Sequence, residues 1–319
     1  MTALALGVDL GGTNARAAVV DRDSGEIVAA HKEPHRERSP EAVVATVAHA
    51  VRQASHAVGG GARFAAVGVG VAGQCLGRTG VVLNAPNLGW RDVPFGAMLE
   101  AALGTRVRIA NDLAVAAWGE QRFGAARGVD DAILVFVGSG VGCGLILGGR
   151  LHDGHRGVAG ELGHVKVRPM RPTTPARRCG CGQVGCLEAY TSGVNVAARV
   201  REELAAGAVS RVRELAGGDL ERANAALVEA AYREGDLYAR ALWEEVADLL
   251  GNALASVVTL LNPARLILGG GVLLGSEGLL KLVQEAFWAK VSKSAGEGTT
   301  LERAHLGDDA GVIGAALLE

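Results

Sequence analysis

The chain has 319 residues, of which 49% are hydrophobic and 21% are charged, with a net charge of −2. This length predicts about two domains of roughly 150 residues each, and the apolar fraction argues against a disordered chain. The balanced charge and an aromatic content of 4% disfavour a nucleic-acid-binding surface. The sequence shows no secretory signal and no apolar run long enough for a membrane span, so we expect a cytoplasmic protein without nucleic-acid or membrane partners.

The first half of the chain predicts strands separated by glycine turns. Residues 4–30 predict strand, glycine turn, strand, turn and strand, and a helix then begins at Pro40 with Ser39 as its N-cap. The segments FAAVGVGVAG and VRIAND predict buried strands. The second of these runs directly into a predicted helix, LAVAAWGEQRF.

The second half repeats the opening pattern and then becomes helical. Residues 132–149 predict strand, glycine turn and strand, residues 151–188 are loop-rich, and residues 190–262 are predicted to be mostly helical. The segment RLILGGG predicts a strand that ends in three glycines. The chain closes with a helix, the strand TTLERAHL and the helix DDAGVIGAALLE, so we expect two similar α/β halves.

The glycine turns are candidate phosphate-binding loops, because consecutive backbone N–H groups form a concave anion site that a Cβ would obstruct. Each hairpin turn continues as a strand rather than a helix, which argues against a Rossmann site, and no G-K-[ST] follows, which excludes a P-loop. Ordinary hairpins remain the alternative. The candidate phosphate-binding residues are Asp9, Gly11, Gly12, Thr13 and Asn14 in the first turn, Gly138, Ser139 and Gly140 in the second, and Gly270 and Gly271 in a third. The Asp9 carboxylate could hold Mg²⁺ or its water ligands.

Three of the five cysteines lie within the eight residues CGCGQVGC. In a reducing compartment such a cluster favours a bound metal over disulfides. Zinc takes four tetrahedral thiolate or imidazole ligands, so Cys179, Cys181 and Cys186 leave one place, for which His164 is the best candidate. Reduced cysteines without a metal are the alternative.

Two further groups of polar residues suggest catalysis or ligand binding. Asn111 and Asp112 end a predicted strand, where side chains of α/β proteins project into a cleft. Asp112 could be a general base for a substrate hydroxyl, or only the N-cap of the helix that follows. Glu161 and His164 are three residues apart and share one face of a helical turn. One His164 nitrogen could ligate a metal while the other bonds a ligand hydroxyl.

Five motifs together carry a family resemblance. They are GVDLGGTNARAAVVD, NAPNLGW, NDLAVAAWGE, GELGH and CGCGQVGCLEAYTSG. The first resembles the phosphate motif of the sugar kinase, actin and Hsp70 superfamily. The set resembles the ROK family of bacterial sugar kinases, nearly end to end, and within that family it is similar to glucokinases. Ser139 stands where the second phosphate motif often has threonine, and the hydroxyl is kept.

The resemblance implies a fold, a reaction and a set of site residues. The fold is α/β, with two ribonuclease H-like domains and the active site in a cleft between them. Residues 1–112 plus 300–319 would form the small domain, and residues 113–299 the large domain with the zinc site. The reaction is phosphorylation of the glucose 6-hydroxyl by Mg·ATP, with Asp112 as base and one structural Zn²⁺ on the four ligands above. The implied sugar-binding residues are Gly73, Asn87, Asn111, Asp112, Glu161, His164 and Glu188. A homodimer or homotetramer is the family expectation.

Several alternatives stay open at this point. The sugar could be N-acetylmannosamine, N-acetylglucosamine or fructose, and polyphosphate could replace ATP as donor. A ROK-type sugar-responsive repressor would need an N-terminal helix-turn-helix, for which the phosphate motif beginning at Gly7 leaves no room. An actin-like or Hsp70-like ATPase would not need a zinc-bound sugar pocket.

Overall fold

The computed structural model describes residues 3–59, 64–171 and 174–318. The chain divides into two compact units. The first unit comprises residues 1–134, 144–160 and 304–319, and the second comprises residues 135–143 and 161–303. This division places residues 113–134 in the first unit. The sequence predicts domain boundaries after residues 112 and 299, and these boundaries stay predictions.

The described residues form strands and helices distributed over both units. The strands are β1 (Leu4–Leu10), β2 (Asn14–Asp21), β3 (Ile27–Pro34), β4 (Ala66–Val71), β5 (Gln74–Leu76), β6 (Val81–Ala85), β7 (Trp90–Val93), β8 (Arg106–Asn111), β9 (Ala132–Val137), β10 (Val141–Leu147), β11 (Arg150–Leu151), β12 (Arg265–Gly269) and β13 (Thr300–Arg303). The helices are α1 (Pro40–Ala57), α2 (Phe95–Leu103), α3 (Asp112–Phe123), α4 (Glu188–Thr191), α5 (Gly193–Ala205), α6 (Val212–Leu215), α7 (Ala225–Arg233), α8 (Leu237–Leu261), α9 (Gly271–Leu274), α10 (Glu277–Lys290), α11 (Lys293–Gly296) and α12 (Ala310–Ala316).

The first unit is built on a five-stranded sheet with the order β3-β2-β1-β4-β8. Strands β1, β2 and β3 form antiparallel hairpins, whereas β4 pairs parallel with β1 and β8 pairs parallel with β4. The carboxyl ends of β1, β4 and β8 therefore meet at one edge of the sheet. That edge brings together three of the predicted site segments, which begin at Gly11, Ala72 and Asp112.

Alternation along the strands gives this sheet two buried faces. Leu6, Val8 and Leu10 of β1 belong to one hydrophobic cluster with residues of α1 and α2. Ala5 belongs to a second cluster, which residues of α12 complete. The sheet is thus covered by helices on both sides, and its β1 strand is almost continuously apolar, as expected for a strand buried on both faces.

A small antiparallel sheet, β5-β6-β7, and helix α2 also belong to the first unit. None of these elements was predicted from the sequence. The three strands have only three to five residues, which is too few for a clear periodicity. The turn between β6 and β7 carries Asn87.

The second unit contains most of the helices. A second five-stranded sheet has the order β11-β10-β9-β12-β13, of which β12 and β13 lie wholly in the second unit. The second glycine turn joins β9 to β10. The prediction that residues 190–262 are mostly helical is confirmed, and α8 packs along α10. Among the described residues, no helix is both long and apolar enough to cross a membrane.

Glu120 of α3 holds the segment that leads into the C-terminal helix. Its side chain is completely buried. One carboxylate oxygen accepts hydrogen bonds from the backbone N–H groups of His305 and Leu306, at 2.8 and 2.7 Å, and the other accepts from Ala125 at 2.7 Å. The carboxylate therefore satisfies three backbone donors that a hydrocarbon side chain would leave unpaired.

We expect Glu120→Ala to lower the free energy of unfolding by about 3 kcal/mol, because buried N–H groups lose their acceptor. Chemical denaturation followed by circular dichroism measures the change. Glu244→Ala removes a carboxylate from an exposed helical ion pair with Arg240 and serves as the matched control. Equal denaturation midpoints for the two variants would contradict the role assigned to Glu120.

Candidate active site

Asp112 lies at the carboxyl edge of the first sheet, at the first position of α3. The structure corrects one alternative from the sequence: the N-cap of this helix is Asn111, not Asp112. One Asp112 carboxylate oxygen accepts hydrogen bonds from the Asn111 side-chain amide at 2.9 Å and from the Leu113 backbone at 3.0 Å. The carboxylate is therefore oriented by its neighbours without being needed to cap the helix.

The Asn111 amide makes every hydrogen bond that it can make. Its oxygen accepts from the backbone N–H groups of Leu113 and Ala114, at 2.9 and 3.1 Å, and its nitrogen donates to the Gly73 carbonyl, at 3.0 Å, and to Asp112. Asn111 thus links the end of β4 to the start of α3 and fixes the Asp112 carboxylate. The predicted contact of Asn111 with a sugar hydroxyl stays a prediction, and it would have to replace one of these bonds.

The Asp112 carboxyl group has an unusual proton affinity. Burial, together with the negative charge of Asp9, raises its pKa to about 7, while the hydrogen bond from Leu113 acts in the opposite direction. A carboxylate with a pKa near neutrality can accept a proton at physiological pH far better than an ordinary aspartate.

The first glycine turn and Asn87 lie against each other within the first unit. A Cβ on Gly12 would lie 3.0 Å from the Asn87 Cβ, closer than an ordinary contact, so Asn87 would have to shift to admit a larger residue. The backbone N–H of Gly11 donates to the Asn14 carbonyl at 3.0 Å, which closes the turn. The Asn14 amide donates to the Thr13 hydroxyl at 2.8 Å, and Thr13 is exposed.

Asp9 lies just before this turn, near charges of both signs. Burial raises the pKa of its carboxyl group, the Arg16 guanidinium lowers it and the Asp308 carboxylate raises it. Asp308 is not among the predicted site residues, because residues 308–319 were predicted only as a closing helix. The acidic pair Asp308–Asp309 before an apolar helix was the signal that could have identified it.

The second glycine turn is held by neighbours within the second unit. The Gly138 N–H donates to the Gly140 carbonyl at 2.9 Å, and the exposed Ser139 lies between them. Gly270 packs on the end of β9 with φ of 91°, where a Cβ would come within 2.4 Å of the Val137 carbonyl oxygen. The third candidate turn, Gly270 and Gly271, therefore lies beside the second one.

Glu188 connects the second turn to the cysteine cluster. One carboxylate oxygen accepts from the Val141 backbone N–H at 2.8 Å, directly after Gly140. The other lies 3.7 Å from the Cys179 sulfur, within hydrogen-bonding distance of a thiol. Its predicted contact with a sugar stays a prediction, and these two bonds show what positions the side chain.

The four predicted metal ligands converge. One ligand atom from each of His164, Cys179, Cys181 and Cys186 lies within 4.8 Å of all the others. The sulfurs of Cys181 and Cys186 are 3.7 Å apart, and the Cys179 sulfur is 3.8 Å from the His164 Nδ1 atom. Ligands about 2.3 Å from a tetrahedral ion are separated by about 3.8 Å, so this donor set fits a tetrahedral metal site. The backbone N–H of Gln183 lowers the pKa of Cys181, whereas burial raises the pKa of Cys179 to about 12.

The two nitrogens of His164 face different partners. Nδ1 faces the cysteines, and Nε2 lies 3.4 Å from a carboxylate oxygen of Glu161, at the start of the short 3-10 helix Leu162–His164. Sequence analysis missed Lys166, whose ammonium group donates to the Cys186 sulfur at 3.0 Å. A cation two residues after a predicted ligand was the only sequence signal for this contact.

The predicted sugar-binding residues divide between the two units. Gly73, Asn87, Asn111 and Asp112 belong to the first unit, and Glu161, His164 and Glu188 belong to the second. Within each unit they lie beside one glycine turn or beside the cysteine cluster.

The model of the ROK family matches residues 5–319. The chain belongs to the ROK family. It is 35% identical to the glucokinase of Streptomyces coelicolor, over 98% of this chain and 96% of that protein. The structure of a ROK family glucokinase from Streptomyces griseus in complex with glucose and AMPPNP matches with a TM-score of 0.80 and 35% identity, over 98% of each chain. The ROK hexokinase from Thermus thermophilus matches with a TM-score of 0.81 and 32% identity, over 99% of this chain and 97% of that one.

These likenesses span nearly the whole chain and confirm the predicted α/β fold, which is that of ROK sugar kinases. The strand order of the first unit and the helices on both faces of its sheet are the parts of the fold that place Asp112.

We expect the Asp112 carboxyl group to titrate near pH 7 and to titrate lower in Asp9→Asn, because removal of a neighbouring negative charge makes ionisation easier. Carboxyl ¹³C chemical shifts measured against pH test this directly. Asp23→Asn, in the exposed turn before β3, is the control and should leave the titration unchanged. A shift of the same size in both variants would count against the coupling between Asp9 and Asp112.

Proposed function

We propose that this protein is a glucokinase, which transfers the γ-phosphoryl group of Mg·ATP to the 6-hydroxyl of glucose. The observation that carries the proposal is Asp112, an oriented carboxylate with a pKa near 7 at the carboxyl edge of the sheet that also presents the first glycine turn. The two glucokinases and the hexokinase to which the chain is similar support it. We expect the reaction to take place in the cytoplasm, in a homodimer or homotetramer.

Asp112 acts as the general base. It accepts the proton of the 6-hydroxyl as that oxygen forms a bond to the γ-phosphorus, while the bond from the γ-phosphorus to the ADP oxygen breaks. Asn111 and Leu113 hold one carboxylate oxygen of Asp112, at 2.9 and 3.0 Å, and the second oxygen receives the proton. The raised pKa allows Asp112 to take the proton at neutral pH and release it to water after each turnover.

The glycine turns bind the phosphates of the nucleotide. The N–H groups of Gly11 and Gly138 close the two turns, so Gly12 and Gly140 supply the backbone donors, without side chains that would obstruct them. The exposed Thr13 and Ser139 hydroxyls lie beside them. Asp9 supplies a carboxylate for Mg²⁺, an ion that binds one or two carboxylates together with phosphate oxygens. When bound, Mg²⁺ neutralises charge on the transferred phosphoryl group.

The sugar is held by hydrogen bonds from polar side chains. Asn87, Glu161, His164 and Glu188 offer donors and acceptors with little aromatic surface. A pocket of this kind selects a sugar by its hydroxyls, because a missing hydroxyl leaves a buried polar group unpaired. N-acetylmannosamine and N-acetylglucosamine are the alternatives to test, because only steric fit would oppose an N-acetyl group.

Zinc is the metal that we propose for the four converging ligands, because three sulfurs and one imidazole at tetrahedral separations are its usual structural set. The ion would hold the loop that carries His164 and, through Cys186, the backbone before Glu188. A Zn²⁺ ion with three thiolates carries one net negative charge, which the Lys166 ammonium group balances. The metal positions sugar ligands and takes no part in phosphoryl transfer.

The sugar is identified by a coupled assay of ADP formation from Mg·ATP across hexoses and amino sugars. We expect the highest kcat/KM for glucose and much lower values for fructose and 1-deoxyglucose. Asp112→Asn should leave glucose binding nearly intact and lower kcat by at least ~10²-fold, as loss of a general base does.

Asp23→Asn is again the control and should retain full turnover. A higher kcat/KM for an N-acetylated sugar would overturn glucose as substrate while keeping the kinase mechanism. Preserved kcat together with lost glucose affinity in Asp112→Asn would instead rule out the proton-transfer role.

Elemental analysis should find about one zinc ion per chain in the purified protein. Cys181→Ser should lose it and weaken glucose binding more than ATP binding, because the cluster positions His164 and Glu188. Cys143→Ala, in β10 of the same unit and outside the cluster, is the matched control and should keep the metal. Active protein without zinc would end this assignment.

A further inference from the structure

We propose a second metal site, for one divalent first-row transition-metal ion, formed by His31, Glu33 and His49. One ligand atom from each of the three side chains lies within 4.8 Å of the other two. The site belongs to the first unit and shares no residue with the cysteine cluster or with the proposed catalytic residues. The proposal of this site therefore does not rest on the proposed glucokinase activity.

The strand and the helix each contribute ligands to the same point. His31 and Glu33 are two residues apart on β3, so their side chains lie on one face of the strand. Both histidines approach the same carboxylate oxygen of Glu33: His31 Nε2 at 2.9 Å and His49 Nδ1, from α1, at 3.0 Å. The three side chains are 30 to 48% exposed, so an ion could reach them from solvent.

The distances suit a six-coordinate ion. Ligand atoms at about 2.1 Å from a metal in adjacent octahedral positions are about 3.0 Å apart, close to both nitrogen-to-oxygen separations. Two imidazoles and one carboxylate on one face of an ion form a set that binds divalent iron, nickel, copper and zinc and leaves other positions for water. Hard ions such as Mg²⁺ prefer all-oxygen ligands and would bind poorly here.

Gln53 completes the outer part of the site. Its amide nitrogen lies 3.3 Å from His49 Nε2, one helical turn from His49 on the same face of α1. When His49 Nδ1 binds a metal, the Nε2 atom carries the proton, and the Gln53 amide can accept from it through its oxygen after a half rotation. A ligand histidine is usually held by such a partner through its second nitrogen.

A bound ion would join the edge strand β3 to helix α1. The chain leaves β3 at Pro34, and His35 then bonds to the first glycine turn: its N–H donates to the Thr13 carbonyl at 2.9 Å, and its Nε2 lies 3.0 Å from the Gly11 carbonyl oxygen. The ion therefore stabilises a segment that directly supports this turn, so metal binding should raise the thermal midpoint of unfolding.

Isothermal titration of Ni²⁺ into untagged protein, with zinc already bound at the cysteine cluster, tests the proposal. We expect one saturable event with about one Ni²⁺ per chain and a higher unfolding midpoint. Affinity should fall at least ~10-fold in His49→Gln, since even loss of an outer partner costs a metal site 10- to 100-fold. His56→Gln removes an exposed histidine from the same helix and should bind Ni²⁺ as the wild type does.

His31→Gln and Glu33→Gln give the same test from the strand, should His49→Gln fail to fold. Absence of saturable Ni²⁺ binding to the wild type would overturn the proposal and leave the three residues as a hydrogen-bonded cluster. Binding that is unchanged in both His31→Gln and His49→Gln would overturn it as well, because the ion would then lie elsewhere.

Discussion

The parallel pairing of β1, β4 and β8 is the constraint on which the first half of the site depends. These strands are far apart in the sequence, and their carboxyl ends lie together only because β4 pairs with both of the others. Ligands of α/β proteins bind at such edges because loops and helix starts project there without blocking the sheet. The first glycine turn, Gly73 and Asp112 owe their common position to this pairing rather than to any local signal.

Burial at this edge gives Asp112 its chemistry. A carboxylate deprived of water and placed near Asp9 holds its proton more tightly, and the hydrogen bonds from Asn111 and Leu113 keep it oriented while partly opposing that effect. Asn111 is fully committed to protein partners, so it acts as a positioning residue in this structure. The same use of a buried polar side chain recurs at Glu120, whose carboxylate holds the segment before α12.

The second unit uses a different means of positioning. The described residues between 151 and 188 contain little regular structure. Two isolated bridges, Lys166 with Cys186 and Arg178 with Val184, join segments of this loop. Loops of this kind bury little apolar surface to define one conformation, and the proposed metal on the four converging ligands would supply what a core otherwise supplies. Glu188 then connects the cluster to the glycine turn at Gly140 through its two carboxylate oxygens.

The sequence by itself determined the features that depend on local periodicity and spacing. The strand and turn pattern predicted β1, β2, β4, β8 and the helices that follow, and the spacing of Cys179, Cys181 and Cys186 predicted a metal cluster with His164. The family resemblance implied that Asp112 is the general base, a role that stays a proposal, whereas spacing alone left it undecided between a base and an N-cap. The short strands β5 to β7 gave no signal, because so few residues carry no clear period.

Only the tertiary structure decided which distant polar groups meet. Asp308 beside Asp9, Lys166 beside Cys186, and His49 beside His31 and Glu33 are contacts between segments that no local pattern links. The pKa of Asp112 belongs to the same class, since desolvation and the charge of Asp9 act through space. Local patterns in the sequence show which face of an element is apolar. The pairing of strands and the packing of helices fix the distances between charged groups, and electrostatic effects depend on those distances.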